Sequence, residues 1–213
     1  RPCPLYANLE NSALPTLQTF LMTGAQTERL SEENLCWMTK HPIVCTGRGV
    51  GIFLERCLGV EPENIHEICT GLDLELIESQ LQKSKPLSRA DVGIEDDEIV
   101  IATSGNIVFL KGVDIWVEAA ASIHARFPEL RFKFMWVGGP QWQFDALYGQ
   151  SIRKLIARHK LENHVFITGD QEEIYPHVNL CDIYVQPSRD DAYPLATREA
   201  MALGKPVVAF PQG

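Results

Sequence analysis

From residue 98 to the end of the 213-residue chain, the apolar positions switch repeatedly between a period of two and a period of nearly four. Very few architectures accommodate that alternation. Residues 98–103 (EIVIAT) form a β-branched run. Residues 113–127 then carry Ile115, Ala119, Ile123 and Phe127 on one stripe, with Trp116 and Ala120 beside it, and Pro128 stops the helix this pattern predicts. Over residues 131–137, Phe132, Phe134 and Trp136 alternate with Arg131, Lys133 and Met135, and the run ends at Gly138-Gly139-Pro140. The same reasoning predicts a helix from about 150 to 160, a strand at 164–168 closed by Gly169-Asp170 and a short helix near 172–180. A strand at 182–186, a helix at about 196–203 and an apolar strand at 206–210 follow. Five strands separated by four helical segments imply right-handed βαβ crossovers and a parallel, doubly wound, Rossmann-like α/β sheet.

In such a sheet, ligands sit beyond the carboxyl ends of the strands, so the loops after Thr103, Val137, Thr168 and Gln186 are where chemistry is expected. The first 97 residues are less regular. Residues 42–46 read as a strand, 50–58 as a helix and 65–69 as a weaker strand before Gly71-Leu72-Asp73. Residues 79–97 are polar and contain Pro86, which suits a linker or a surface helix. The glycines of Gly47-Arg48-Gly49-Val50-Gly51 suggest an interdomain turn, with anion binding ahead of the next helix as the alternative.

Composition excludes several classes of function. The chain is 45% hydrophobic, enough for a sizeable core, which argues against disorder. Its 19 basic and 28 acidic residues give a net charge of -9, the wrong sign for a general nucleic-acid binder. The longest apolar runs, 113–117 and 206–210, fall far short of the roughly 18 to 20 residues that span a bilayer. Cys3, Cys36, Cys45, Cys57, Cys69 and Cys181 contain no C-x-x-C pair and read as free thiols in a reducing cytosol. The six histidines show no metal-binding spacing.

Two loops carry the candidate chemistry. In Thr103-Ser104-Gly105-Asn106, continuing to Lys111-Gly112, a glycine lets backbone approach a ligand, and a lysine adds charge at a helix N-terminus. Both suit a diphosphate, although a plain strand-to-helix turn with a solvated lysine is the alternative. The loop matches neither G-x-x-x-x-G-K-[ST] nor G-x-G-x-x-G, and the lack of the second disfavours a nicotinamide-dependent enzyme. In the second loop, Asp191 lies beyond a strand terminus and Glu199 in the first turns of the following helix. Two carboxylates so placed accept hydrogen bonds from hydroxyls at two points of an elongated ligand such as a sugar. The alternative is helix capping by Asp190 and Asp191 with Glu199 favouring the dipole. The aromatic group Trp136, Trp142, Phe144 and Tyr148 offers a sugar platform, but Trp136 sits in strand alternation and reads as core.

The order Gly71-Leu72-Asp73, Gly105-x5-Lys111-Gly112-Val113-Asp114, Trp136-Val137-Gly138-Gly139-Pro140, Val165-Phe166-Ile167-Thr168-Gly169, Cys181-Asp182-x4-Pro187-Ser188-Arg189 and Asp191-x7-Glu199-Ala200-Met201-Ala202-x-Gly204-x-Pro206 resembles the retaining glycosyltransferases of family 4, which have the GT-B fold. The likeness covers roughly residues 40 to 213 and is nearest to a bacterial polysaccharide-type subgroup. It implies a sugar transferase using a nucleotide-diphosphate sugar donor and a glycan or lipid-linked acceptor, with no metal or other cofactor. It also implies a cytoplasmic enzyme, peripherally associated with the inner face of the membrane through parts outside this sequence.

By position, the resemblance makes Asp191, Glu199 and Lys111 the catalytic set: Asp191 meets donor-sugar hydroxyls, Glu199 the ribose, and Lys111 the diphosphate. The donor-binding set adds Ser104, Gly105, Asn106, Gly138, Gly139, Gly169, Asp170, Arg189, Ala192, Tyr193 and Leu195, with Gly169-Asp170 flanking the base. The chain departs from the family pattern at three places. It has Asp191 where the family has Glu, Asn106 where many members have Arg, and Ala192-Tyr193-Pro194 where many have Gly-Phe-Gly. These read as subgroup variation, with Arg189 standing in for the absent phosphate cation; a non-catalytic nucleotide-sugar-binding module is the alternative. The expected organisation is 1–75 as the C-terminal part of an acceptor-side domain, 76–97 as linker and 98–213 as a C-terminally incomplete donor-binding domain, inactive on its own.

Overall fold

The structure, a computed structural model, describes residues 18–20, 39–140 and 143–211. The described residues fall into two units, those up to Gly71 together with 190–193, and those of 72–189 together with 194–211.

The first unit is built on a parallel three-stranded sheet. Its strands β1 (Gln18–Phe20), β2 (Ile43–Cys45) and β3 (Ile65–Glu67) lie in that order, with the helix α1 (Arg48–Leu58) between β2 and β3 in sequence. All three residues of β2 are buried, and Val50 and Leu54 of α1 join Ile43 and Cys45 in one cluster. The interdomain turn expected at residues 47–51 does not form. Val50 and Leu54 supply an apolar stripe, so the chain turns helical at Arg48 and draws Gly49 and Gly51 into the helix. Gly51 faces the sheet: a Cβ there would lie 3.5 Å from Cys45 Sγ and 3.6 Å from Ile65 Cγ2, ordinary contact distances.

The second unit begins with α2 (Leu74–Lys83), whose first turn is capped by the Asp73 carboxylate accepting from the Leu76 N–H at 2.8 Å. The remaining elements are β4 (Ile99–Ser104), α3 (Val113–Arg126), β5 (Phe132–Val137), α4 (Gln143–Arg158), β6 (Val165–Ile167), α5 (Tyr175–Asn179), β7 (Ile183–Gln186), α6 (Leu195–Ala202) and β8 (Val207–Ala209). All five strands are parallel and lie in the order β6-β5-β4-β7-β8. This is the doubly wound sheet expected from the sequence.

Both faces of the sheet are covered, as parallel sheets require. On one face Ile101, Phe132, Phe134 and Trp136 pack with Trp116 and Ala120 of α3 and Ile152 of α4. On the other, Val100, Ala102, Met135 and Tyr184 pack with Val178 of α5 and Ala200 of α6. Met135, read from the sequence on the polar side of its strand, is therefore fully buried.

Residues 76–97 differ from the expected linker. Ile77 and Ile94 are buried, α2 packs on α5, and the Arg89 guanidinium donates to the Glu98 and Leu180 carbonyls at 3.0 and 3.2 Å and to Asp182 at 2.7 Å. The stretch is thereby built into the second unit. Helix α4 begins at Gln143 rather than near 150, because Gly149 sits inside the helix instead of breaking it, with Ile107 Cγ2 3.9 Å from the position of a Cβ. Cys45, Cys57, Cys69 and Cys181 are free thiols, while Cys3 and Cys36 lie outside the described residues. No helix among the described residues is long and apolar enough to cross a membrane.

Candidate functional site

The strand order of the second unit reverses between β4 and β7, and doubly wound sheets bind ligands at the carboxyl ends of the strands flanking such a reversal. Ser104 ends β4 buried, its N–H donating to the Tyr184 hydroxyl at 3.1 Å and its own hydroxyl 2.9 Å from that same oxygen. Burial and the Ser104 contacts act on Tyr184 in opposite directions, and burial wins, pushing its phenol up to about 12. The next residue, Gly105, is held on the neighbouring strand. Its N–H donates to the Val137 carbonyl at 2.9 Å and its carbonyl accepts from Trp136 Nε1 at 2.7 Å. Trp136 is thus core, as its place in the strand alternation suggested, and it steers the loop from below. Tyr148 is half-buried, Trp142 lies outside the described residues, and nothing is described of the Phe144 side chain.

The loop after β5 touches the loop after β4 backbone to backbone. A Cβ at Gly138, whose φ is 141°, would stand 2.2 Å from the Gly105 carbonyl oxygen, so only glycine fits. Gly138 also bridges to Gly169, and a Cβ on Gly139 would lie 2.8 Å from Asp170 Oδ1. Ser104, Gly105, Asn106, Gly138, Gly139, Gly169 and Asp170 therefore converge. Most of them line an open cavity of about 200 Å³ whose wall is completed by Val137, Gln171, Ile174 and Ala196.

Lys111, half-buried, closes a 3-10 turn at Phe109–Lys111 one residue before Gly112 and the N-terminus of α3. Glu199 lies in α6, where its carboxylate accepts a hydrogen bond from the Tyr175 hydroxyl at 3.1 Å. Burial first, and Glu199 second, push the Tyr175 phenol up to about 12, so it stays a donor at every physiological pH. Leu195, the first residue of α6, is exposed. Asp191, Ala192 and Tyr193 group with the first unit. There Ala192 packs against the cluster of Ile43 and Leu54, and a Cβ on Gly47 would lie 3.1 Å from Tyr193 Cδ2.

Arg189 is engaged differently from the expected phosphate cation. Its guanidinium makes a bidentate pair with Asp114 of α3, at 2.7 and 2.6 Å, and Nη1 also donates to the Phe109 carbonyl at 2.9 Å. The guanidinium carbon stands 4.0 Å from the centre of the Phe109 ring. The Tyr148 hydroxyl donates to Asp114 at 2.7 Å. Hydrogen bonding from Arg189 is the largest influence on the Asp114 carboxyl and holds it at about 2. The sequence offered Asp114 and Arg189 as motif positions, Tyr148 as an aromatic and nothing for Tyr175 or Tyr184, because each acquires its partner only through the fold. No group of three or more potential metal ligands occurs among the described residues.

Residues 98–213 match the family model described as glycosyl transferases group 1, more than half of the chain. The chain belongs to the glycosyl transferases group 1 family. Among curated members it is 34% identical over 163 residues to D-inositol 3-phosphate glycosyltransferase 1 of Catenulispora acidiphila, covering 73% of this chain and 37% of that protein. With D-inositol 3-phosphate glycosyltransferase of Rhodococcus erythropolis it shares 29% identity over 168 residues, covering 75% of this chain and 36% of that one. The chain therefore spans well under half the length of these relatives.

Among solved structures, Anabaena Alr3699/HepE in complex with UDP and glucose superposes with a TM-score of 0.76 at 22% identity, over 93% of this chain and 53% of that one. Sucrose-phosphate synthase of Thermosynechococcus elongatus gives a TM-score of 0.76 at 20% identity, over 98% and 53%. These likenesses establish the fold of this group 1 member as the Rossmann-like α/β fold of GT-B glycosyltransferases.

Proposed function

We propose that the protein containing this chain transfers a sugar from a nucleoside-diphosphate donor to an acceptor hydroxyl, as a retaining enzyme of glycosyltransferase family 4. One observation carries the reading. The loops after β4, β5 and β6 meet in backbone contact at the carboxyl ends of their strands and line a cavity, and the loop after β4 continues to a lysine just before a helix N-terminus. Close backbone approach and a cation at a positive helix end are what a diphosphate requires.

On this reading Lys111 pairs with the diphosphate, and the Gly105-Asn106 backbone and the N-terminus of α3 share its charge. As the glycosidic bond loosens, negative charge grows on the leaving nucleoside diphosphate, and preorganised donors that already face it lower the barrier without metal. Glu199, oriented by the Tyr175 hydroxyl, accepts from the ribose hydroxyls. Asp191 accepts from the donor sugar, with Ala192, Tyr193 and Leu195 beside it, and the Gly169-Asp170 loop flanks the base. The similarity to D-inositol 3-phosphate glycosyltransferases favours an acceptor hydroxyl on a small phosphorylated polyol. A glycan or lipid-linked acceptor in polysaccharide assembly, and peripheral attachment to a membrane through other parts of the protein, belong to the same proposal.

Incubation of the intact protein with UDP-, GDP- and ADP-sugars, followed by proton NMR of the sugar product, tests it. Release of nucleoside diphosphate with the donor's anomeric configuration kept in the product supports the reading. An inverted product refutes retention, and binding without any transfer or hydrolysis refutes catalysis.

A further inference from the structure

Arg189 lies one loop away from the lysine proposed to meet the diphosphate, and its hydrogen bonds converge on the segment that carries that lysine. Its backbone N–H donates to the Leu110 carbonyl at 2.8 Å and Nη1 to the Phe109 carbonyl at 2.9 Å, the two residues immediately before Lys111. The guanidinium also lies against the Phe109 ring. On the far side of Lys111, Gly112 adopts φ 71° so tightly against Pro187 that a Cβ would stand 2.0 Å from the Pro187 oxygen. Asp114, two residues further on, receives the rest of the guanidinium, and α4 contributes the Tyr148 hydroxyl to the same carboxylate. Residues 109, 110, 112 and 114 are thus all anchored to the segment 187–189. The fork that anchors them is planar and bidentate, and its charge is matched by a carboxylate kept ionised down to about pH 2.

We infer that Arg189 is a positioning residue that acts on the donor diphosphate through Lys111, with Asp114 as its counter-anchor, rather than a phosphate ligand itself. The inference rests on the proposed role of Lys111. An arginine whose Nη atoms already serve Asp114 and Phe109, and whose charge is neutralised at hydrogen-bond distance, adds little direct attraction for an anion. A turn held on both sides instead fixes where the Lys111 ammonium stands, and loosening it by about 1 Å is enough to lose most of a well-aimed interaction.

The two roles differ in the sign of one effect. Asp114→Asn removes a negative charge near the phosphate site and releases Arg189. A phosphate-ligand role therefore has this variant bind nucleoside diphosphates more tightly, whereas a positioning role has it bind them more weakly. The experiment is calorimetric titration of the intact protein with UDP, GDP and ADP, using wild type, Asp114→Asn, Arg189→Lys, Lys111→Ala and the double variant Arg189→Lys with Lys111→Ala. Circular dichroism is run on each to compare folded fractions. The expected result is about tenfold weaker binding for Asp114→Asn and for Arg189→Lys, and no further weakening when Arg189→Lys is added to Lys111→Ala.

Tighter binding by Asp114→Asn, or losses from Arg189→Lys and Lys111→Ala that multiply, overturns the inference. If Arg189→Lys does not fold, the sign of the Asp114→Asn effect alone decides. Wild type that binds none of the three ligands overturns the proposed function itself and this inference with it. A wild type whose binding responds to Lys111→Ala but to neither brace variant overturns only the inference.

Discussion

Replacing Gly112 by alanine tests the closeness of the loops at the strand-order reversal, and Gly93 provides the control. Both glycines have nearly the same backbone conformation, φ 71° and φ 70°, so both substitutions place an L side chain in the left-handed region. That conformation costs about 1 to 2 kcal/mol for a residue with a Cβ. Around Gly93 a Cβ meets nothing within 4 Å, and the conformational cost is the whole effect. At Gly112 the Cβ would lie 2.0 Å from the Pro187 carbonyl oxygen and 2.9 Å from its carbon, distances that real Cβ atoms do not show. The obstacle is backbone, so relief requires the 187–189 segment to move by more than about 1 Å, and such overpacking adds roughly 1 to 3 kcal/mol. Gly112→Ala should therefore cost about 2 kcal/mol more than Gly93→Ala in urea unfolding of the intact protein, read as a lower midpoint at unchanged slope. Equal midpoints for the two variants would refute the close approach on which the geometry of the Lys111 turn depends.

Tyr184→Phe deletes the hydroxyl that meets the Ser104 N–H and side chain in a buried setting; a loss of about 1 to 2 kcal/mol in urea unfolding is expected, and a neutral result would show the bond contributes nothing. The Asp114 carboxyl titrates at about 2 in the folded protein against 3.8 when unperturbed, so its contribution is present above about pH 4 and lost as pH falls toward 2. After allowance for side chains 31% and 27% exposed at Asp114 and Arg189, this amounts to roughly 1 kcal/mol, and Asp114→Asn should flatten the acid limb of a stability-versus-pH curve by that amount. Tyr175→Phe removes the hydroxyl that donates to the Glu199 carboxylate at 3.1 Å and should weaken nucleoside-diphosphate binding a few-fold without abolishing it; unchanged affinity would remove Tyr175 from the site.

The sheet was readable because burial on one face imposes a period the sequence cannot hide: Phe132, Phe134 and Trp136 marked a strand whichever neighbours intervened. That same rule misjudged Met135, since a parallel sheet buries its second face as well and a thioether fits there. The start of α4 escaped detection because Gly149 in a polar stretch looks like a loop until a packed neighbour, here Ile107, accepts its bare backbone. Gly49 and Gly51 misled in the same way at the start of α1.

Within the candidate site, the places of Gly105, Lys111, Gly138 and Glu199 at strand and helix ends were readable from the alternating pattern, while their roles toward a donor came from the family resemblance and stand as part of the proposal. The Arg189–Asp114 pair was not readable. Its members stand 75 positions apart, and Asp114 in the first turn of a helix has a sufficient local explanation in the helix dipole. Only the adjacency of β4 and β7 joins them, and strand order is a property of the whole sheet. The grouping of Asp191 with the first unit and of Glu199 with the second is likewise invisible in the eight-residue spacing that links them.

The central claim is that the second unit holds a nucleoside diphosphate at the carboxyl ends of β4 and β7, with Lys111 and Glu199 on it. Isothermal titration of the intact protein with UDP, GDP and ADP, repeated with Lys111→Ala and Glu199→Ala, addresses it most directly. The expected result is saturable binding of at least one of the three, weakened about tenfold or more by each substitution while the fold is retained. Binding that survives both substitutions unchanged, or no binding by the wild type, would contradict it.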